Sequence, residues 1–201
     1  CDVEGNLQAM RMTADFDTGA YASWGPTVAG RVPVHGGGPY LWPSANVKAR
    51  AILTNGPTCG AFRGFGVPQI AIAHEALMDE LAEQLGMDPL EFRYKNALRV
   101  GDLTATGQLL QASAGLDQCL DALRPHWRQA RQLVQVHNKN NPSHRRGAGL
   151  GCMWYGCGNT GMSNPSEVKV TLSGGGQITL YNGAVDIGQG IDTVMRQICA
   201  D

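Results

Sequence analysis

Two glycine-rich turns that run into helices constrain this 201-residue chain more than any other feature. The first spans residues 59–69 (CGAFRGFGVPQ), and the second spans residues 186–190 (DIGQG). Glycines lack Cβ atoms, so a ligand can approach the backbone, and a helix N-terminus offers free amides and a dipole that favour an anion. Neither turn has the spacing GxxxxGKS/T or GxGxxG, which disfavours a P-loop or a dinucleotide fold. Each turn alone is equally compatible with a structural role.

Composition excludes several classes of protein. Hydrophobic residues make up 43% of the chain and charged residues 16%, which is enough to bury a core and is unlike a disordered chain. The net charge of −1 gives no electrostatic case for nucleic acid or a membrane surface, so we expect neither as a partner. The six cysteines show no spacing typical of a disulfide framework or a zinc site, so we expect reduced thiols and a cytoplasmic location.

The apolar periodicities predict an α+β fold with mixed strands and helices. The predicted strands are residues 8–21, 46–54, 167–172 and 177–181, and the last two flank a Ser-Gly-Gly-Gly turn typical of a hairpin. The predicted helices are residues 68–85, 88–98, 115–131 and 191–200. Residues 24–43 are rich in glycine and proline and predict a long loop. We expect two subdomains, residues 1–132 and 147–201, joined by a polar surface connection at residues 133–146.

Two residues of the first turn are candidates for ligand binding. Arg63 lies between Phe62 and Phe65, where a guanidinium could bind a phosphate, a pterin edge or a carboxylate in bidentate fashion. The alternative for Arg63 is a buried role in holding loop carbonyls. Phe65 lies between two glycines that supply no packing neighbours, so its ring is a candidate surface for a flat substrate.

Several separate motifs occur in an order that resembles one known family. They are GAFRGFGVPQ, DPLEFRYKN, GDLTATGQLL and DIGQGIDTVMRQ, with GAYASWG and HGGGPYLWP upstream. Together they resemble the molybdopterin-binding large subunit of the xanthine dehydrogenase/aldehyde oxidoreductase family, the molybdenum hydroxylases. The resemblance covers nearly the whole chain and is specific because the motifs share one order. It implies portions of two subdomains of the molybdenum-cofactor-binding domain, as an internal piece of a much longer subunit.

The resemblance assigns cofactor contacts to both turns. Arg63 matches a residue that binds the molybdenum–pterin cofactor near the metal without being a direct ligand. Gln189 matches a second cofactor contact, and Gly188 and Gly190 would let backbone amides reach the pterin. Asp186 and Ile187 stand where many relatives have Glu and Met, which is a mild departure from the family pattern.

The resemblance also assigns substrate contacts. Phe65 matches the aromatic residue that packs on the substrate ring. Arg31 and His35 align with an Arg-x-x-x-His element in which the Arg contacts the substrate of purine-oxidising members, and aldehyde-oxidising relatives often lack it. An arginine exposed in a loop is the alternative for Arg31, and His35 is more simply a residue that hydrogen-bonds within its loop. The loop at residues 156–160 falls near another element of the substrate pocket.

The family reaction gives these residues their expected roles. The resemblance implies a molybdenum–molybdopterin cofactor, with or without a nucleotide tail, and hydroxylation of a purine such as hypoxanthine or xanthine with water as the oxygen source. The catalytic glutamate of the family is expected beyond Asp201, so we expect no catalytic residue in this chain and no activity from it alone. A 2Fe–2S cluster and FAD are expected on other domains or subunits, because cysteine spacings for a cluster are absent here.

Three alternatives stay open from the sequence. The chain could belong to an aldehyde oxidoreductase of the same family. It could be a truncated, non-catalytic remnant that serves as a binding module. It could also be a phosphate-ligand-binding protein that uses the two glycine turns, which would bind a nucleotide without molybdenum.

Overall fold

The structure is a computed structural model, and it describes residues 1–156, 163 and 165–201. Helices and strands both occur, which confirms the α+β prediction. The chain forms two compact units, Cys1–Tyr155 and Gly156–Asp201, and each is described by itself below. The subdomain limits predicted at residues 132 and 147 stay a prediction, since compactness does not mark where a cofactor-binding subdomain begins. Among the residues described, no helix combines the length and apolar character needed to cross a membrane.

A pair of parallel strands organises the first unit. Strand β1 is Ala9–Gly19, strand β2 is Ser44–Leu53, and the two are hydrogen-bonded in parallel along their length. The side chains of β1 alternate between the two faces, with Met10 buried and Arg11 and Asp15 exposed. This alternation is the period-2 pattern from which the strand was predicted.

The connection between these strands contains two short helices. Helix α1 is Gly25–Gly30 and helix α2 is Val32–His35. The prediction of a loop with little regular structure was wrong here. Each helix has a proline in its first turn, where the missing N–H needs no partner and the fixed φ suits helical backbone. Proline was therefore a sign of helix starts and not of irregular chain.

Helix α3, Val67–Gln84, follows the glycine turn and confirms the predicted helix. Its buried residues are Val67, Ile70, His74, Met78 and Ala82. His74 lies in this buried row although it is polar. Leu77, Leu81 and Leu85 are partly buried and pack against the core beside it.

Helices α4 and α5 pack against one another beside this core. Helix α4 is Pro89–Asn96, which confirms the predicted helix although it ends two residues before the predicted end at residue 98. Helix α5 is Leu116–Asn140. The polar stretch after residue 131 was predicted as surface connection, but α5 continues through it to Asn140. Exposed helical turns need no apolar residues, so polarity alone did not mark the helix end.

One carboxylate joins the two helices. Asp88 caps α4 by accepting a hydrogen bond from the Leu90 N–H at 2.9 Å. The same carboxylate accepts the Trp127 indole N–H at 3.0 Å and the Arg131 guanidinium at 2.6 Å, and both of these residues lie on α5. Trp127 belongs to the apolar core together with Leu90 and Phe92. A single side chain therefore fixes the start of α4 and its contact with α5.

The second unit contains a hairpin and a helix. Strands β3, Lys169–Leu172, and β4, Ile178–Tyr181, pair antiparallel, which confirms the predicted hairpin. Helix α6 is Ile191–Ala200, which confirms the helix predicted after the second glycine turn.

We expect Asp88→Ala to lower the free energy of unfolding by about 2 kcal/mol. The loss of a helix cap contributes ~1 kcal/mol, and the indole N–H of Trp127 left without its acceptor contributes ~1 kcal/mol more. Asp121→Ala is the control, because Asp121 makes an exposed i,i+3 ion pair with Arg124 on α5 and such pairs are worth about 0.5 kcal/mol or less. Thermal unfolding of the variants measures both, and equal losses would contradict the linking role of Asp88.

Candidate functional site

The first glycine turn adopts left-handed backbone at consecutive residues. Gly64, Phe65 and Gly66 have φ values of 90°, 50° and 94°, and α3 begins directly afterwards. A Cβ on Gly64 would lie 2.3 Å from the Pro68 ring, and a Cβ on Gly66 would lie 2.6 Å from the carbonyl oxygen of Val28 in α1. Only glycine fits at those two positions. Phe65 is a non-glycine residue held in a strained conformation, a feature that is concentrated at functional sites.

The turn places the Phe65 ring beside a buried arginine. Arg31 joins α1 to α2 and is only 7% exposed. Its guanidinium carbon Cζ lies 5.8 Å from the centre of the Phe65 ring and 5.7 Å from the centre of the Tyr155 ring. Such cation–π contacts contribute ~0.5–2 kcal/mol each, and more when desolvated. The structure therefore brings together Arg31 and Phe65, the two residues that the sequence assigned to substrate.

His35 completes this group, which we call the Arg31 cluster (Arg31, His35, Phe65 and Tyr155). The His35 ring stacks on Tyr155 with ring centres 5.5 Å apart and an interplanar angle of 17°. Its Nδ1 lies 3.0 Å from the Arg31 carbonyl oxygen, which can only accept, so Nδ1 carries the proton. Burial, with the charge of Arg31 as a smaller cause, lowers the pKa of His35 below 6.5. The ring is therefore neutral near pH 7 and hydrogen-bonds within its own loop.

Two tryptophans extend the aromatic surroundings of the cluster. Trp24 meets Phe65 edge-on with ring centres 6.0 Å apart, and Trp154 meets His35 edge-on at 5.9 Å. Tyr155 was not predicted from the sequence, although the pair Trp154-Tyr155 in a glycine-rich stretch was a usable signal. Of the loop predicted at residues 156–160, positions 157–160 lie outside the described residues.

Arg63, the predicted cofactor contact of the first unit, lies at the start of the same turn. Its side chain is exposed, as is that of Phe62 at 73%. The guanidinium is therefore presented on the surface beside the Phe65 turn, where a ligand can reach it. The alternative of a buried arginine that holds loop carbonyls does not agree with this exposure.

The second glycine turn is held by its own side chains. The Gln189 Oε1 accepts the Ile187 N–H at 2.7 Å, and its Nε2 donates to the Val185 carbonyl at 3.0 Å. Asp186 Oδ1 accepts the Gly188 N–H at 2.7 Å. These bonds give the turn a defined shape directly before α6. Gln189 and Arg63 belong to different units, so their convergence on one cofactor stays a prediction.

Comparisons with known proteins agree with this arrangement of turns and helices. Two models described as molybdopterin cofactor-binding domains match residues 1–97 and 122–201. A nicotinate dehydrogenase large molybdopterin subunit from Eubacterium barkeri is 50% identical over 60% of this chain and 28% of its own. A xanthine dehydrogenase molybdenum-binding subunit from Escherichia coli O157:H7 is 35% identical over 98% of this chain and 26% of its own. The crystal structure of an aldehyde oxidoreductase from Desulfovibrio desulfuricans superposes with a TM-score of 0.74 at 30% identity, covering 89% of this chain and 19% of that one.

These matches define a molybdopterin cofactor-binding domain. The chain belongs to the xanthine dehydrogenase/aldehyde oxidoreductase family, the molybdenum hydroxylases, as the order of its motifs predicted. It spans about a quarter of the length of the curated relatives described above.

The residues present fit a pterin cofactor that carries a phosphate. In the second unit, Gly190 has left-handed backbone with φ of 79°, and no atom lies within 4 Å of the place a Cβ would take. The backbone before α6 is thus open to a ligand, and the first turn of that helix provides amides and a dipole suited to an anion. Within the described part of the chain, no group of three His, Cys, Asp or Glu side chains could hold a metal ion. A metal held by the pterin itself needs no such group.

We expect Gly66→Ala to destabilise the protein more than Gly86→Ala does. Both positions have positive φ, which costs an alanine about 1–2 kcal/mol. At Gly86 no atom lies within 4 Å of the added Cβ, whereas at Gly66 the Val28 carbonyl must move, for about 1–3 kcal/mol more. Thermal unfolding of the two variants isolates the close approach of the turn to α1. Equal destabilisation of the two variants would show that contact with the Val28 carbonyl adds no further cost at Gly66.

Proposed function

We propose that this chain provides cofactor and substrate contacts in a molybdenum hydroxylase that acts on a purine or related N-heterocycle, with water as the oxygen source. The observation that carries the proposal is the buried Arg31 guanidinium between the rings of Phe65 and Tyr155. A flat, electron-poor ring is complementary to aromatic faces, and a fixed cation is complementary to the negative charge that develops on such a ring when a nucleophile adds to it.

The cluster acts by charge stabilisation. When a nucleophile adds to a purine carbon, negative charge develops on the ring, and the Arg31 guanidinium is preorganised to stabilise it. Loss of one preorganised group of this kind typically costs ~2.7–4 kcal/mol in the transition state. His35 is neutral and its Nδ1–H is bound to a carbonyl, so its role is to hold the loop and the Tyr155 ring.

The names of two relatives support a heterocyclic substrate. One is a nicotinate dehydrogenase subunit and the other is a xanthine dehydrogenase subunit. Nicotinate and xanthine are both flat nitrogen heterocycles that carry acceptor oxygens. A buried arginine beside aromatic rings is suited to both, because its guanidinium binds oxygen and its plane packs on a ring.

The cofactor contacts follow from the two glycine turns. Arg63 and Gln189, with the backbone of Gly188 and Gly190, would hold the molybdenum–molybdopterin group. When bound, that group supplies the two-electron oxidation of the substrate. The Gln189 amide would offer a donor and an acceptor to the pterin, and Arg63 would offer its N–H donors to the polar edge or phosphate of that group. A 2Fe–2S cluster and FAD on other domains or subunits would serve as electron acceptors.

An aldehyde substrate is the second candidate. The structural relative with a TM-score of 0.74 is an aldehyde oxidoreductase. An aldehyde develops its negative charge on a single oxygen and does not require a cation beside a ring. The two candidates therefore differ in their dependence on Arg31.

We expect Arg31→Met, made in the complete enzyme, to lower kcat/KM for hypoxanthine or nicotinate by about a hundredfold or more. The same change should affect benzaldehyde much less. Arg11→Met is the control, because Arg11 lies on the exposed face of β1. Steady-state kinetics with the three substrates decides the assignment. Equal losses for heterocycle and aldehyde, or turnover of aldehydes alone by the parent enzyme, would reject the heterocycle.

We expect Arg63→Ala and Gln189→Ala to lower the molybdenum and pterin retained by the purified protein. Each change removes hydrogen bonds to a charged group, worth ~1.5–3 kcal/mol apiece. Arg128→Ala on the exposed face of α5 is the control. Metal analysis together with fluorescence of the released pterin measures retention. Full cofactor content in both variants would contradict the assignment of the turns, and nucleotide binding without molybdenum would favour a phosphate-binding protein instead.

A further inference from the structure

A buried carboxylate on α3 connects four parts of the first unit. Glu75 Oε1 accepts the Tyr40 hydroxyl at 2.7 Å. Its Oε2 accepts the Arg93 Nε–H at 2.8 Å and the backbone N–H of Cys152 at 2.9 Å. The Glu75 side chain is 13% exposed and that of Arg93 is fully buried. The reaction proposed above does not use this group.

The bond to Cys152 joins two segments that carry the Arg31 cluster. Helix α3, which holds Glu75, begins directly after the turn that holds Phe65. Cys152 lies just before Tyr155 in residues 147–156, a segment that is neither helix nor strand. Such a segment takes its position from side-chain bonds and not from a backbone ladder. The Glu75 carboxylate therefore ties the Tyr155 segment to the helix that follows Phe65.

Neutralisation of the Arg93 charge does not account for the position of the Glu75 carboxylate beside the Cys152 N–H. Arg93 also donates to Asp79 at 2.7 Å, to the Pro89 carbonyl at 3.2 Å and to the Glu75 backbone carbonyl at 3.1 Å. A carboxylate with only that task has no need to reach the Cys152 N–H.

We propose that Glu75 is a positioning residue for the substrate site: through the Cys152 N–H it sets the distance of Tyr155 from Arg31 and Phe65. This inference rests on the proposed function, because that proposal is carried by the Arg31 guanidinium beside the rings of Phe65 and Tyr155. It names the length of the Glu75 side chain, and not its charge, as the property on which the site depends.

Two variants separate length from charge. Glu75→Asp keeps the charge beside Arg93 but withdraws the carboxylate by about 1.5 Å, the length of one C–C bond. Glu75→Gln keeps the length, because its amide oxygen can accept from Arg93 and Cys152 while its NH₂ donates to the Tyr40 hydroxyl oxygen. In the complete enzyme, we expect Glu75→Asp to lower kcat/KM for a heterocycle on the order of tenfold, mainly through kcat. We expect Glu75→Gln to stay close to the parent enzyme. The reverse order would overturn the proposal.

A double-mutant cycle tests whether Glu75 acts through Tyr155. We expect Tyr155→Leu to lower kcat/KM by itself, and the addition of Glu75→Asp to that variant to have little further effect, because the positioned ring is already gone. Additive losses would show that Glu75 acts elsewhere and would reject the proposal. Because kcat/KM is compared among folded enzymes of equal cofactor content, a general loss of stability does not mimic this result.

A control variant removes another bond of the same network. Asp79→Asn weakens the second carboxylate partner of Arg93. It should lower the thermal midpoint without changing kcat/KM, since the recorded bond of Asp79 is to Arg93 on α4 and not to the Cys152 segment. A kinetic loss in this control equal to that of Glu75→Asp would also reject the proposal. The proposed function is decided separately by Arg31→Met, so the two failures are distinguishable.

Discussion

The close approach of Gly66 to the Val28 carbonyl is the constraint on which the candidate site depends. It lets the left-handed turn lie directly against α1, and α1 ends where Arg31 begins. The Phe65 ring and the Arg31 guanidinium are thereby brought within cation–π distance by backbone packing alone. The strain at Phe65 is offset by the rest of the core, which holds α3 in place behind the turn. The site is thus a consequence of how one helix starts against the end of another.

Polar groups buried behind this turn make the arrangement specific. Arg31, His35 and Arg93 are all nearly removed from solvent, and burial of such groups is costly unless each finds partners. Arg93 finds carboxylates on α3, and His35 finds the Arg31 carbonyl. Because these bonds require particular distances, they favour one packing of the helices over alternatives of similar apolar burial.

Much of this architecture was predictable from local signals. The alternation in β1, the Asp88 cap of α4 and the glycine turns before α3 and α6 each have a short-range physical cause, and each was located correctly. The predictions failed where one type of residue is compatible with two kinds of local structure. Proline at residues 26 and 33 indicated a loop but starts helices, and the polar end of α5 indicated a connection. Tyr155 could not be inferred from periodicity, because its position depends on a hydrogen bond between Cys152 and the distant Glu75.

The two glycine turns offer different kinds of contact. The turn before α6 offers backbone and an amide side chain whose recorded hydrogen bonds are local to the turn. The turn before α3 offers a rigid ring beside a desolvated cation, and a contact of that kind discriminates strongly between substrates with different charge. Relatives named for nicotinate, xanthine and aldehydes share this scaffold. Under the proposed function, substrate choice follows from the side chains around Arg31 while the fold stays the same.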